Sequence, residues 1–254
     1  MRHYLTVIVI AAGALYLAAC LGLFFAQRSF IYYPPQRAQV AAPRVWTFDA
    51  PGAVLRVSER PAAGDRAVVY LGGNAEDVSA SLPLLERAFP EYAIYLLHYR
   101  GYTGSSGSPA EQAFVSDALA LLDRVAARHG EIVLIGRSLG TGVAVQVASR
   151  RPVRRLVLVT PFDSLQELAA QQFPLFPVRW LLKDKYESWR YAPQVRAPTL
   201  IVAAGGDEII PSWSTRRLLS RFAPGIATME TIAGTGHNTV SDSPAYLAAL
   251  RGTR

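Results

Sequence analysis

The chain has 254 residues, of which 51% are hydrophobic and 18% are charged, a composition that supplies a large buried core and excludes an intrinsically disordered protein. The formal net charge is +7, but the basic residues are nearly all arginines scattered along the chain, without the clustering typical of nucleic-acid binding proteins. The single cysteine, Cys20, excludes an internal disulfide and a cysteine-based metal site.

The first predicted element is a long apolar helix. Residues 4–26 contain no Asp, Glu, Lys, Arg or His, and Arg2 and Arg28 flank this run. As a helix the run is about 35 Å long, enough to cross the hydrocarbon core of a bilayer, which is about 30 Å thick. We therefore predict an uncleaved N-terminal membrane anchor, or signal-anchor, over residues 1–27. Aromatic residues at its end, including Tyr32, fit the headgroup region.

The processing and the orientation of this anchor leave alternatives open. Residues 17–20, LAAC, resemble a bacterial lipobox, in which Cys20 would be acylated after cleavage, although the sequence stays apolar beyond Cys20. Arginines after the anchor outnumber the charges before it, which favours a cytoplasmic domain, whereas a short N-terminal tail usually stays inside. We expect a single-pass membrane protein with an extracytoplasmic domain, and a lipoprotein anchored at Cys20 is the alternative.

The rest of the chain alternates between apolar strands and helices. A proline-punctuated linker over residues 28–43 leads into one domain over residues 44–254. Two short strands come first, and then AVVYLGG, YAIYLLHY, IVLIG, RLVLVT and TLIVAAG are strands separated by helices. This pattern predicts an α/β fold with a mostly parallel sheet covered by helices on both faces. Residues 162–193 interrupt the alternation and are predicted to form a short helical cap.

Three polar residues follow predicted strands, where ligands bind in parallel sheets. Ser138, in the pattern Gly-x-Ser-x-Gly, comes directly after IVLIG and opens the next helix, as a nucleophile does on a strand-to-helix elbow. Asp207 follows TLIVAAG, with Glu208 as its nearest competitor, and His237 lies in a glycine-containing loop after the last strand. The order serine, acid, histidine predicts a catalytic triad in which histidine is the base.

Such a triad also needs an oxyanion hole, which two backbone amides can supply. Asn74 lies in the glycine-containing loop after an earlier strand, and Leu139 follows the candidate nucleophile. We predict that the amides of Asn74 and Leu139 form the hole. A nucleotide-binding use of LGGN is disfavoured, because no Lys-Ser/Thr follows it and no GxGxxG is present.

Several segments together carry a resemblance to a known family, from about residue 27 to residue 238: QRSFIYYPP, YLGGNAEDVSASLPLL, IGRSLGTGVAVQVAS, GGDEIIP and GTGHN. They resemble the membrane-anchored α/β-hydrolases, which include monoacylglycerol and lysophospholipid lipases and protein depalmitoylases. The resemblance implies the α/β-hydrolase fold and the triad Ser138, Asp207 and His237. One departure is that the family usually has His-Gly before the oxyanion Asn, where this chain has Gly72-Gly73.

These features predict a membrane-anchored serine hydrolase that cleaves acyl esters or thioesters without a cofactor or a metal. Its expected partners are a small-molecule or lipid acyl substrate and the membrane, with no nucleic acid, and the protein is expected to be a monomer. The aromatic residues of the predicted cap either line an acyl pocket or seat the cap on the core. An aminopeptidase-like serine peptidase and a non-catalytic lipid-binding homologue are the alternative functions.

Overall fold

The structure, a computed structural model, describes residues 1–35 and 41–252. Its first element is helix α1, Arg2–Ile31, which is long and apolar enough to cross a membrane. Residues 28–31, expected to begin the linker, instead form the last turn of this helix. The chain becomes extended at Tyr32, two residues before Pro34, because proline restricts the residue that precedes it and cannot donate a helical hydrogen bond. Part of the predicted linker, residues 36–40, lies outside the described residues.

The domain is built on one eight-stranded sheet in the order β1-β2-β4-β3-β5-β6-β7-β8. The first two pairings, β1 with β2 and β2 with β4, are antiparallel, and all the others are parallel. The strands are β1 Arg44–Ala50, β2 Ala53–Arg60, β3 Arg66–Leu71, β4 Ala93–His98, β5 Glu131–Arg137, β6 Arg155–Val159, β7 Thr199–Ala204 and β8 Ala227–Ile232. The mostly parallel α/β sheet predicted from the sequence is confirmed.

Helices cover both faces of this sheet. They are α2 Leu82–Ala88, α3 Glu111–Ala126, α4 Leu139–Ala148, α5 Leu165–Gln172, α6 Val178–Leu181, α7 Ser188–Tyr191, α8 Ser212–Leu219 and α9 Pro244–Arg251. Helices α2 and α9 pack on one face, and α3, α4 and α8 pack on the other. Successive residues of β3 alternate between the two cores, with Val68 and Tyr70 in one and Val69 and Leu71 in the other. Burial on both faces explains why the central strands are continuously apolar.

Helices α5, α6 and α7 lie within the stretch predicted as a cap, between β6 and β7. The sequence there has little helical periodicity because the helices are short and two prolines, Pro174 and Pro177, separate α5 from α6. The carboxyl ends of β3, β5, β7 and β8, with the loops that follow them, face this region and carry the candidate site residues.

The segment after α1 is packed into the domain. Tyr32, which was predicted to lie in an aromatic belt, is only 4% exposed, and its hydroxyl is 2.9 Å from that of Tyr186. Its ring also makes an edge contact with Phe114 of α3. The backbone amide of Thr103 donates to the carbonyl of Pro35 at 2.9 Å. The end of α1 is therefore fixed to the domain by specific contacts.

Candidate active site

Ser138 lies on a sharp turn between β5 and α4. Its φ is +47° and its ψ is −116°, a backbone conformation that costs a non-glycine residue about 1–3 kcal/mol and is typical of functional sites. The amide of Ser138 donates to the carbonyl of Val159 at 2.9 Å, and the hydroxyl of Thr141 donates to the carbonyl of Ser138 at 2.6 Å. These hydrogen bonds hold the strained turn, so the side chain projects from the carboxyl edge of the sheet.

The two glycines of the serine motif are required by close backbone packing. A Cβ on Gly136 would come 2.5 Å from the carbonyl oxygen of Gly140. A Cβ on Gly140 would come 2.2 Å from the carbonyl oxygen of Leu71, at the end of β3. Both distances are shorter than any real contact of a Cβ, and both partners are backbone atoms that cannot rotate away. The motif therefore encodes the turn as well as the serine.

We expect Gly140→Ala to destabilise the domain by about 3 kcal/mol, since the clash must be relieved by moving backbone. This corresponds to a fall of roughly 6–12 °C in the melting temperature, measured by thermal unfolding in detergent. Gly206→Ala is the matched control, because its Cβ would meet only the carbonyl oxygen of Thr235 at 3.4 Å. A melting temperature of Gly140→Ala equal to that of the control would contradict this packing.

The three predicted triad residues meet in a line of hydrogen bonds. His237 Nε2 lies 2.9 Å from Ser138 Oγ. On the other side of the ring, His237 Nδ1 is 3.0 Å from each carboxylate oxygen of Asp207. Because an ionised carboxylate can only accept, Nδ1 carries the proton, and Nε2 is free to accept the hydrogen of the serine hydroxyl. His237 is 3% exposed, so these contacts are largely shielded from water.

The carboxylate of Asp207 is held in its charged form. Burial alone would raise the pKa of Asp207, but hydrogen bonds from His237 and from the amides of Ile210 and Ile209 outweigh burial and lower it. The competitor Glu208 has a different position: its Oε2 accepts from the backbone amide of His237 at 3.0 Å. Glu208 thus fixes the loop, and Asp207 alone of these two contacts the imidazole.

The other two histidines of the domain have structural partners. His98 is buried in β4 with Nε2 2.8 Å from the hydroxyl of Ser58, and burial lowers its pKa to about 4. His129 Nε2 lies 3.0 Å from the hydroxyl of Tyr95. Neither histidine has a hydrogen bond to Ser138.

Asn74 and Leu139, the predicted oxyanion residues, line the same cavity as Ser138. Leu139 is the first residue of α4, so its amide lies at the positive end of that helix. The side chain of Asn74 has a separate role. Its Nδ2 donates to the carbonyl of Ile31 at 2.6 Å, and its Oδ1 accepts from the amide of Tyr33 at 3.1 Å and the hydroxyl of Tyr102 at 2.9 Å. Asn74 therefore fastens the end of α1 to the loop beside the serine.

Glu76 is a site residue that the sequence reasoning missed. Its Oε2 accepts from the amide of Gly73 at 2.6 Å and from Arg137 Nη1 at 3.2 Å, and its Oε1 accepts from the hydroxyl of Tyr70 at 2.7 Å. Arg137 also reaches the side chain of Asn238, next to His237, at 3.3 Å. These two charged residues connect the loops that carry the serine, the histidine and the predicted oxyanion amide. The signal available in the sequence was an acidic residue three positions after a glycine pair.

The Gly72-Gly73 departure also has a structural reason. A Cβ on Gly72 would lie 2.5 Å from Cγ1 of Val78, so the histidine found in the resembled family could not occupy this position without a shift. The hydrogen bond from the amide of Gly73 to Glu76 also holds this turn.

A cavity of about 810 Å³ adjoins Ser138. Of the cap aromatics, Phe173 and Phe176 line it, whereas Tyr186 is fully buried in the core and Trp180 is 88% exposed. Phe173 and Phe176 thus have the first expected use and Tyr186 the second, whereas Trp180 has neither. Helix α1 also lines the cavity, which the sequence did not predict, through Leu23, Gln27, Phe30 and Ile31.

Comparison with known proteins relates this architecture to a protein family. A family model described as the alpha/beta hydrolase fold matches residues 67–185. An uncharacterized protein from Mycobacterium tuberculosis is 36% identical over 192 residues, covering 73% of this chain and 68% of that protein. The lysophosphatidylserine lipase ABHD12 from Macaca fascicularis is 30% identical over 209 residues, covering 72% of this chain and 52% of that protein. The chain therefore spans about half the length of that lipase.

Solved structures share the fold at low sequence identity. The esterase Pf2001 from Pyrococcus furiosus superposes with a TM-score of 0.70 at 15% identity, covering 86% of this chain and 96% of that one. The hydrolase MGS-M2 from a deep-sea metagenome library gives a TM-score of 0.68 at 14% identity, covering 82% and 96%. The sheet order, the family match and these relatives agree, and the chain belongs to the α/β-hydrolase family.

Proposed function

We propose that this α/β-hydrolase is a membrane-anchored serine hydrolase that cleaves acyl ester or thioester bonds. The observation that carries the proposal is the hydrogen-bonded line from Ser138 through His237 to Asp207 beside an apolar cavity. A base within hydrogen-bond reach of the nucleophile, itself oriented by a carboxylate, is the arrangement that activates a serine for acyl transfer.

In the proposed mechanism His237 Nε2 takes the proton of the Ser138 hydroxyl as Oγ attacks the acyl carbonyl carbon. The oxyanion that forms accepts hydrogen bonds from the amides of Asn74 and Leu139, and Asp207 stabilises the imidazolium. His237 then protonates the leaving alcohol or thiol, which leaves an acyl group on Ser138. A water molecule, deprotonated by the same histidine, attacks this acyl-enzyme and releases the acid and the free serine.

The substrate class follows from the cavity and from α1. Aliphatic and aromatic side chains form most of the cavity lining, which suits an acyl chain, and α1 suits a protein that meets its substrate at a membrane. The named activity of one relative, a lysophosphatidylserine lipase, adds a single-chain phospholipid to the substrates worth testing. An extracytoplasmic domain remains our proposal for the orientation, and a C-terminal reporter active only on one side of the membrane tests it.

The experiment that tests the function is probe labelling followed by a substrate panel. We expect a fluorophosphonate probe to label the purified full-length protein on the peptide that contains Ser138. In the panel, matched acyl esters, thioesters and aminoacyl amides of equal chain length are compared by kcat/KM. Faster turnover of amides than of esters would favour a peptidase, and a protein inert to probe and panel that still binds lipid would be a non-catalytic homologue.

A further inference from the structure

The cap lies alongside the anchor helix over a considerable length. The hydroxyl of Tyr16 donates to the carbonyl of Leu175 at 2.9 Å, and its ring stacks on Phe176 at 6.0 Å. Eleven residues later, Gln27 Nε2 donates to the carbonyl of Leu181 at 3.0 Å. At 1.5 Å per residue these contacts span about 16 Å of the helix axis. The cap therefore extends back along α1 from the domain towards the middle of the apolar run.

The level of Tyr16 falls inside the hydrocarbon core for any placement of α1 across a bilayer. A core of about 30 Å needs about 20 helical residues. If the core starts directly after Arg2, it extends to about Gly22, and if it ends at Ala26, it starts near Thr6. Tyr16 lies within both limits, so the cap residues that touch it are at hydrocarbon depth as well.

The cap segment, residues 173–182, has a surface suited to that environment. Trp180 is 88% exposed, Leu175 is 81% exposed and Phe173 is 53% exposed. The segment FPLFPVRWLL contains one charged residue, Arg179, which forms an ion pair with Glu167 at 3.0 Å. Large apolar side chains with this exposure are unfavourable in water and favourable in lipid.

Most of its backbone amides also have a partner within the protein, which favours lipid because polar groups find no water there. Two of its residues are prolines and have no N–H to satisfy. The carbonyls of Leu175 and Leu181 accept hydrogen bonds from α1. Six amides donate to backbone carbonyls, those of Phe173, Phe176, Val178, Trp180, Leu181 and Leu182.

The cavity beside Ser138 lies between these two elements. Leu23 and Phe30 of α1 and Phe176 and Leu181 of the cap are among its lining residues. We propose that the cap segment is embedded in the same leaflet as the C-terminal half of α1, and that the acyl chain of a membrane lipid passes between them to Ser138. The embedding rests on the proposed crossing of the membrane by α1 and is independent of catalysis, while the passage of the chain to Ser138 rests on the proposed hydrolase activity as well.

The embedding is tested by measuring the depth of Leu175 in the full-length protein in liposomes. In a Cys20→Ser background, Leu175→Cys is labelled with an environment-sensitive fluorophore and quenched either by lipids with an acyl-chain nitroxide or by aqueous iodide. Leu21→Cys on the exposed face of α1, 58% exposed, and Val54→Cys on β2, 43% exposed, are the matched controls.

We expect position 175 to behave as position 21 does, with strong quenching by the lipid nitroxide and little by iodide, and position 54 to behave in the opposite way. A label at position 175 that iodide quenches as it does at position 54 would overturn the embedding. So would a label at position 21 that the lipid nitroxide does not reach. None of these readings depends on catalysis.

The passage of the acyl chain is tested by narrowing the cavity from the anchor side. For each variant, kcat/KM is measured for a long-chain lysophospholipid and for a butyrate ester, and the first value is divided by the second. Leu23→Trp is expected to lower this ratio about tenfold, because the larger side chain fills apolar space that the long chain needs. Leu21→Trp, the same change on the exposed face of α1, is the control.

If Leu23→Trp and Leu21→Trp give the same ratio of kcat/KM values and hydrolysis still depends on Ser138, the passage is refuted and the proposed function is not. If the wild-type protein hydrolyses none of these substrates, both the proposed function and the passage are refuted. The depth measurement would still decide the embedding.

Discussion

Replacing Ser138 by alanine is expected to lower kcat/KM for acyl esters by about 10⁵-fold and to abolish labelling by a fluorophosphonate probe. Alanine keeps the shape of the turn but removes Oγ, which lies 2.9 Å from His237 Nε2. The remaining imidazole and backbone amides would then act only on water, without an acyl-enzyme. Ester hydrolysis by the reconstituted full-length protein, followed with a chromogenic substrate, measures the effect.

The control is Ser149→Ala, which makes the same chemical change at the other end of α4. The hydroxyl of Ser149 donates to the carbonyl of Gln146 at 2.8 Å and has no contact with the site, so its kcat/KM is expected to stay within about twofold of the wild type. Hydrolysis by Ser138→Ala at the rate of the control would rule out Ser138 as the nucleophile.

The double variant Ser138→Ala/His237→Ala tests whether Ser138 and His237 act together in catalysis or contribute to the rate independently. Residues that act as a unit give non-additive losses, so the double variant is expected to be no slower than Ser138→Ala alone. A further large loss in the double variant would show that His237 contributes by a route that does not pass through Ser138.

The sheet and the candidate triad residues both have signals that are local in the sequence. Burial on both faces makes the central strands continuously apolar, and a strained turn needs glycine at positions 136 and 140, so each appears as a short pattern. Ser138, Asp207 and His237 then meet because a parallel sheet brings the carboxyl ends of its strands to one edge.

The preference for Asp207 over Glu208 rests on the family resemblance, because composition and spacing do not distinguish two adjacent carboxylates. Both carboxylates follow β7, and only the three-dimensional path of the loop places one against the imidazole ring and the other against the backbone amide of the same histidine. Glu76 and Arg137 were missed for a similar reason, since a charged residue next to a loop is most often solvated.

The contact between α1 and the cap was hidden by the uniformity of the apolar run. Tyr16, Cys20, Leu23 and Gln27 recur at intervals of three and four residues, which places them on one face of a helix. In a run where nearly every residue is apolar, the residues at this spacing do not differ in hydrophobicity from their neighbours. Hydrophobic periodicity therefore cannot identify the face of the helix that packs. Gln27, buried and polar, is the one residue on this face whose type could have drawn attention.

Asp207→Asn is expected to lower kcat by about 10⁴-fold, whereas Glu208→Gln lowers it by less than about tenfold. Asparagine can donate to His237 Nδ1 and thereby favour the tautomer with the proton on Nε2, which cannot accept the serine hydrogen. Glutamine at position 208 keeps an acceptor for the amide of His237. Each substitution removes one negative charge from adjacent positions, so a general electrostatic effect would act on both variants alike.

The pH dependence of the pair gives a second test. Because the pKa of Asp207 is lowered in the folded protein, its ionised form stabilises the fold above the ordinary aspartate range, and this contribution is lost as pH falls through the lowered value. The stability difference between wild type and Asp207→Asn, measured by denaturant unfolding, should therefore shrink as the pH falls below about 4. A difference that grew as the pH fell below about 4 would mean that the pKa of Asp207 is raised in the native site, which would contradict its role as the ionised partner of His237.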